Sequence, residues 1–523
     1  MSSRKRNIRI AAAIIAAYAA VVVLLLAAES KAEGSSIHSL GDAIWYSIIT
    51  LTTVGYGDIS PVTAAGKALG ALLALCSLGV FTALIGFLIS FISGQAGPRR
   101  KLRAAGNRRW YAINEENEQS VVFAESVLDD DPGAVIIFRH SEEKRIAGRS
   151  VVRLDCSPEE LIDIKGGRQG IMYFCMGEDT WENYRQALDA AGMDIDTYCL
   201  TEFGEAGTSG KLHTFSKKET VGRCYWRDHP VRKNENTIVL IGSGGIAAEL
   251  LERGLLTNVF EPGRYLNYHV FGDSSEFSRS HREAVRTLCG GDPEDDALFL
   301  HAECWEYHPE IIRNADRIII CEDDDRSCLA TYKELNRLFP TAAEIHVRLN
   351  SDLGKAGCFG SSRDVFKMSS FVRDDINDLA VILNDIYNER ADKASEWDDL
   401  SDHLKRSNVA AADHMIVKVR YLLDDESITK LTEQNCRRAY AVFSNLDPEK
   451  RDICRKMEHR RWMRFHQMYN WTYSAERNDP MRRHPLILPY SELSEEDKEK
   501  DAFAWELLAG VAERSEREEN AGL

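Results

Sequence analysis

The sequence predicts a membrane α-helical module with two spans, then two doubly wound α/β units in tandem, then a mainly α-helical C-terminal domain. Three observations predict it. Two long runs, Ile10–Ala28 and Ala68–Ser93, contain no charged residue. Between residues 107 and 360, short β-branched runs alternate with helical periodicity, and the pattern occurs twice; this is the signature of parallel sheets joined by crossover helices. Beyond residue 365 the strand pattern stops and amphipathic helical spacing takes over.

The two uncharged runs are 19 and 26 residues long. A bilayer core needs about 20 apolar helical residues, so each can cross it. We place the spans at about 8–28 and 66–93. The second run reaches about 39 Å at 1.5 Å per residue, enough to tilt or to protrude. The first is too long for a signal-peptide core and no convincing cleavage site follows it. Arg4, Lys5, Arg6 and Arg9 precede the first span, and Arg99, Arg100, Lys101, Arg103, Arg108 and Arg109 follow the second. Only Lys31 and Lys67 lie between, so both termini are expected inside.

Charge is split along the chain of 523 residues. Residues 1–109 hold 12 Lys+Arg against 4 Asp+Glu, a net of +8, which leaves 53 bases and 78 acids, a net of −25, in the remainder. An acidic body lacks the basic footprint that nucleic acid requires, so no nucleic-acid partner is expected. The 12 cysteines form no CxxC pair and nearly all follow residue 150, which reads as reduced cytoplasmic thiols. The tightest metal-like cluster, His301, Cys304 and His308, lacks a fourth ligand at convincing spacing.

Between the spans, His38–Leu51 is too short to cross and reads as a re-entrant half-helix. It runs into Thr52–Asp58, TTVGYGD. In this order of span, half-helix, loop and span, the chain resembles the potassium channels, whose filter is a TVGYG loop. The resemblance implies a selectivity filter of Thr53, Val54, Gly55, Tyr56 and Gly57, four chains around one pore, and K⁺ as the permeant ion. The physics fits the residue types. A desolvated ion needs oxygens on all sides, and a strand that turns every carbonyl inward needs the dihedrals that Gly55 and Gly57 permit. Rings of backbone oxygens from Thr53, Val54, Gly55 and Tyr56 then hold K⁺, and the half-helix carboxyl end favours a cation. Asp58 is expected to reach Trp45 as a filter support. Two features depart from the family. Where many members carry a Glu four residues before the filter Thr, this chain has Ile49, which is expected to alter inactivation and not selectivity. The usual inner-helix glycine aligns with Ser77, and Gly79 follows two residues later. Gly79 is either a gating hinge or, with Gly70 and Gly86, a close-packing residue.

Past a basic linker at 99–109, strands are expected at Arg109–Ile113, Ala134–Phe138, Gly170–Cys175 and Ile195–Leu200, with a helix at Thr180–Ala191. The pattern repeats with strands at Asn236–Ile241, Leu266–Phe271, Leu298–His301, Arg317–Cys321 and Glu344–Leu349. The units fall at about 107–228 and 234–360. The second contains a G-x-G-x-x-A turn, with Gly242, Gly244, Gly245 and Ala247. Such glycines let a phosphate approach a helix N-terminus. Asp273 is the candidate for a ribose, although it lies farther on than about 20 residues. A bulky side chain at Gly244 is expected to block that approach. The corresponding turn of the first unit, Asn114–Asn117, has two acids and no glycine, and is not expected to take a pyrophosphate. A purely structural glycine turn is the other reading. The whole passage resembles the RCK (regulator of potassium conductance) and nucleotide-binding transport domains, which implies tandem Rossmann-like domains, eight to a tetramer, and NAD or an adenine nucleotide as ligand. The acidic runs Asp129–Asp131 and Glu322–Asp325 read as solvated turns in preference to Ca²⁺ sites.

Residues 361–409 read as a connector and 410–523 as a further domain. Met457–Trp462 (MEHRRW), Asn470–Tyr473, His484–Pro485 and Pro489–Tyr490 resemble the ryanodine-receptor (RyR) repeat. The resemblance implies a pocket in which Trp462, Trp471 and Tyr473 stack a planar ligand and Arg460 or Arg461 pairs a phosphate; packing of the same aromatics as core is the alternative. Together these readings predict a potassium-selective channel subunit in the inner (plasma) membrane of a prokaryote. It is multi-pass and homotetrameric, with a pore module at 1–98, and is gated by a small-molecule nucleotide through the Gly94–Arg109 linker. No nucleophile–base pair lies near the glycine turn, so no enzyme activity is expected. A rival reading is a membrane effector in stress or phage defence that opens the same pore on a nucleotide signal.

Overall fold

The computed structural model describes residues 18–52, 54–74, 97–141, 145–202, 210–355, 357–372, 377–389 and 394–521. It divides into two compact units, Met1–Gly106 and Asn107–Leu523. Thr53, Gly79 and parts of both expected spans lie outside the described residues. Among those described, no helix is long and apolar enough to cross a membrane.

The first unit contains α1 (residues 18–29), α2 (Leu40–Leu51), α3 (residues 64–74) and α4 (Gly97–Ala104). Val22, Leu25, Ala43 and Leu73 bury one apolar stripe from each of the first three helices. The start of α2 is fixed by a capping box: Asp42 N–H donates to Ser39 Oγ at 3.2 Å, and Ser39 N–H to Asp42 Oδ2 at 2.8 Å.

The second unit opens with β1 (Trp110–Glu115), α5 (Glu118–Asp130), β2 (Val135–His140), β3 (Val151–Arg153), α6 (Pro158–Lys165), β4 (Ile171–Cys175), α7 (Thr180–Gly192), β5 (Asp196–Leu200), β6 (Leu212–Phe215) and α8 (Lys217–Asp228). The strands form one parallel sheet in the order β3-β2-β1-β4-β5-β6. The chain then repeats the plan with β7 (Thr237–Ile241), α9 (Gly244–Thr257), β8 (Asn267–Phe271), α10 (Ser275–Ser280), α11 (Arg282–Leu288), β9 (Ala297–His301), α12 (Pro309–Asn314), β10 (Arg317–Ile320), α13 (Asp325–Leu338), β11 (Glu344–Arg348) and β12 (Cys358–Phe359). The second sheet, β12-β11-β10-β7-β8-β9, is again parallel. Both sheets are therefore Rossmann-like. In each, strand order reverses at a central pair, β1 beside β4 and β7 beside β10. Ligands of such sheets bind beyond the carboxyl ends of the strands at that reversal. Continuous apolar strands such as Ile318–Ile320 are buried because helices cover both faces.

After α14 (Ser362–Val365) and α15 (Met368–Phe371) come α16 (Asp378–Asn388), α17 (Asp402–Leu423), α18 (Glu433–Ser444), α19 (Pro448–Met468), the short pair β13 (Thr472–Tyr473) and β14 (Arg483–His484), and α20 (Glu495–Ala521). One apolar core runs from Leu255 of α9 through Val409 and Met457 to Trp505. Ion pairs join α19 to the second sheet: Arg464 reaches Asp295 at 2.6 Å and Asp296 at 3.1 Å.

Candidate functional site

The glycine-containing loop after α2 has two of its amides tied back. Val54 and Gly55 N–H both donate to Ile49 O, at 2.9 and 3.2 Å. Gly55 and Gly57 then adopt φ +56° and +73°. Nothing lies within 4 Å of where either Cβ would stand, so the left-handed backbone, and not crowding, selects glycine here. Val54 and Tyr56 are exposed. The Trp45 indole N–H donates to Asp58 Oδ2 at 3.2 Å, and the Trp45 and Tyr56 rings lie parallel within 7°. Ile49 is buried.

Sequence reasoning missed Glu29. Its buried carboxylate accepts Val62 N–H at 3.0 Å, Thr63 N–H at 2.8 Å, Thr63 Oγ1–H at 2.6 Å and Ser35 Oγ–H at 2.9 Å. It thereby ties the end of α1 to the start of α3, directly past the pore loop. Gly66 exists because a Cβ there would stand 2.0 Å from Glu29 Oε1. The available signal was a lone acid closing an uncharged run.

In the second sheet each turn glycine has its own cause. Gly242 has φ +154°, and its Cβ would stand 1.9 Å from Cys321 O at the end of β10; two backbones cross here. Gly244 opens α9 at φ +82°, with Asp323 Oδ1 2.7 Å from its would-be Cβ. Gly245 has no positive φ, and the three atoms nearest a Cβ there are all on the flexible end of Lys218, with Nζ at 2.5 Å. A bulky residue at Gly244 therefore strains the backbone as well as blocking approach, and Gly245 is the cleaner place to test a ligand. Ala247 is buried in the core.

Ser243 occupies the N-cap of α9 yet makes no side-chain cap bond. By contrast, α5 is closed by an Asn117–Ser120 capping box, and Asp324 accepts from Arg326 and Ser327 N–H at 2.8 and 3.0 Å to close α13. The start of α9 thus has no side-chain cap, with the Lys218 ammonium, itself 3.6 Å from Glu202, and the Asp323 carboxylate alongside. Asp273 sits at the carboxyl end of β8, beside β7, exposed and accepting Ser275 N–H at 2.9 Å. That bond holds its carboxyl below the usual range. In the first sheet the corresponding turn is filled from within. Burial tends to raise the Glu116 carboxyl, but Arg153, at 2.5 Å, and the Arg145 and Ile146 amides hold it low and ionised.

Of the four C-terminal candidates, Trp462 and Trp471 share one cluster around His466 and His484, while Arg460 turns to the second sheet. Arg460 donates to Phe260 O at 2.9 Å and pairs with Asp295 at 3.1 Å. Trp462 packs on His466, ring centroids 3.9 Å apart, and Trp471 stacks on His403 at 5.1 Å. Tyr473 is exposed. Burial pushes the His466 imidazole down to about 3 and lowers His403 and His484, so this cluster is neutral. Among the described residues, no group of three His, Cys, Asp or Glu side chains is placed to hold a metal ion. In the acidic run after β10, Asp325 is spent on Asn350 and Ser351 amides, at 2.7 and 2.9 Å.

Residues 10–94 match the family model described as "Ion channel". Over 52 residues the chain is 48% identical to a voltage-gated potassium channel of Aeropyrum pernix, covering 10% of this chain and 18% of that protein. Over 55 residues it is 47% identical to potassium voltage-gated channel subfamily A member 5 of Mus musculus, covering 10% and 9%. The chain thus spans less than a fifth of the length of these relatives. The N-terminal segment is similar to a potassium-channel pore. Among solved structures, GsuK bound to ADP aligns at 14% identity and TM-score 0.32 over 70% of this chain and 97% of that one. The GsuK channel bound to NAD aligns at 12% and 0.30, over 69% and 82%.

Proposed function

We propose that the chain is one subunit of a homotetrameric, potassium-selective channel, with both termini cytoplasmic and a nucleotide-controlled gate. The observation that carries this is the pair of left-handed glycines, Gly55 and Gly57, set directly after a half-helix in a segment that matches the ion-channel model. Their backbone is what a file of inward carbonyls demands, from Thr53 to Tyr56. Trp45 and Asp58 brace that file, and Gly79 is the bend point of the second span. The gating ligand is NAD or an adenine nucleotide, its phosphate on the uncapped start of α9 and its ribose at Asp273. Arg460, Trp462 and Trp471 serve the RyR-like region as docking and core residues. The protein conducts and carries no catalytic group.

Two measurements test this. Mass photometry of the full chain in detergent is expected to give about four times 58.9 kDa, and reconstituted channels to pass K⁺ over Na⁺; a dimer contradicts the assembly. Calorimetry with ADP and with NAD is expected to show a component that Gly245→Val weakens at least tenfold. Equal binding by wild type and Gly245→Val excludes the glycine turn as the site.

A further inference from the structure

A cavity of about 440 Å³ opens where the carboxyl end of α9, the segment after α8, and helices α17 and α18 meet. That is within the range of small-molecule sites. It is distinct from the glycine turn: α9 has 14 residues, so its two ends lie about 20 Å apart at 1.5 Å per residue.

Its walls combine aromatic surface with two arginines that form no direct ion pair, Glu261 and Glu426 acting on Arg264 and Glu426 and Asp425 on Arg420 from farther off. Trp226, Phe260, Tyr421 and Val442 supply the apolar part. Two arginines are among the lining residues. Arg264 lies over the Phe260 ring at 3.6 Å and donates through Nη2 to Arg232 O at 2.8 Å, while its Nε is buried with no hydrogen-bond partner. Arg420 donates through Nε to Ile428 O at 2.6 Å. Neither is ion-paired with a carboxylate. Burial lowers both from the usual arginine range. Of the acids at the rim, Asp424 is held by the Lys233 ammonium and Glu426 by the Lys233 backbone N–H. Lys233 is paired with Asp424 and Lys450 with Asp447 at 3.6 Å, so among the cations of the lining Arg264 and Arg420 are the two not held in an ion pair. A half-buried cation satisfied only by carbonyls is incompletely compensated, and a planar guanidinium pairs best with a bidentate oxyanion. The carboxyl end of α9 disfavours an anion only weakly, and two guanidiniums outweigh it.

We propose that this cavity is a second ligand site, taking a phosphate-bearing small molecule with one aromatic ring, in the class of nucleoside diphosphates. The phosphate meets Arg264 and Arg420, and the ring lies among Trp226, Phe260 and Tyr421. Because the walls come from both the second sheet's helices and the C-terminal helices, occupancy cross-links them.

The test uses the full chain in the Gly245→Val background, so that the glycine turn does not contribute. ADP, GDP, UDP and inorganic phosphate are titrated separately by calorimetry, with thermal melting in parallel. At least one diphosphate is expected to bind once per chain and raise Tm, with inorganic phosphate at least a hundredfold weaker because it leaves the aromatic walls unused. Arg264→Ala is expected to weaken binding at least tenfold. Val442→Trp, which fills the cavity and keeps both arginines, is expected to remove it. The proposal is overturned if none of the three diphosphates binds this background, if inorganic phosphate binds as tightly as they do, or if both variants bind as well as their parent. Loss of the gate reading shows separately, in the comparison of wild type with Gly245→Val.

Discussion

Replacing Gly55 with alanine is expected to abolish potassium current while leaving assembly intact. Gly55 stands at φ +56°, where an L-residue costs roughly 1–2 kcal/mol. Four chains around one axis multiply that cost, and the cheapest relief is to rotate the peptide so that its carbonyl leaves the ion path. One missing ring of oxygens deprives a dehydrated K⁺ of half its ligands at two adjacent positions. Nothing lies within 4 Å of the added methyl, so no packing contact is lost and the particle mass should not change. Planar-bilayer recording of purified Gly55→Ala, beside its mass, checks both halves. Undiminished potassium-selective current from this variant would sink the filter assignment.

What was legible in the sequence was local. TTVGYGD is seven contiguous residues whose chemistry is carried by backbone. Buried parallel strands announce themselves as apolar runs, and Arg317–Ile320 was found within a residue of its end. Strands β3, β6 and β12 were not seen, because runs of three, four and two residues carry no periodicity. The glycine turn was legible as a motif, but its causes were not. Gly242 answers to Cys321, far along the chain, and the missing side-chain cap of α9 is a three-dimensional fact that Ser243 at the N-cap gives no sign of. The partners of the C-terminal motif were not legible for a related reason. Arg460 pairs with Asp295, 165 positions away, and Arg464 with Asp296 at a separation of 168. No local pattern carries such partners.

The same motif contains the largest expected stability effect. Glu458 lies on α19 with Arg461 one turn later, and Lys418 approaches from α17. The Glu458 carboxylate accepts from Lys418 at 2.7 Å and from Arg461 at 2.6 and 3.0 Å, with every member at most 4% exposed. Burial works to raise the Glu458 carboxyl, and the Arg461 and Lys418 charges more than reverse it, so its pKa falls below the carboxylate range. A carboxyl depressed in the folded state adds stability above its unfolded pKa of about 4.5 and loses it as pH falls below that value. Glu458→Gln removes the charge at all pH values and leaves two buried cations facing an amide. Breaking a buried pair in this way costs about 3–5 kcal/mol, roughly 3–6 °C in Tm for a unit the length of Asn107–Leu523. Replacing all three with apolar residues (Lys418→Met, Glu458→Met and Arg461→Leu) should recover most of the loss, since no charge is then left uncompensated. Thermal melts of the full chain at pH 7 check both variants. If Glu458→Gln melts with the wild type, the triad does not hold α17 to α19, and Arg420, two residues beyond Lys418, is positioned by something other than this charge cluster.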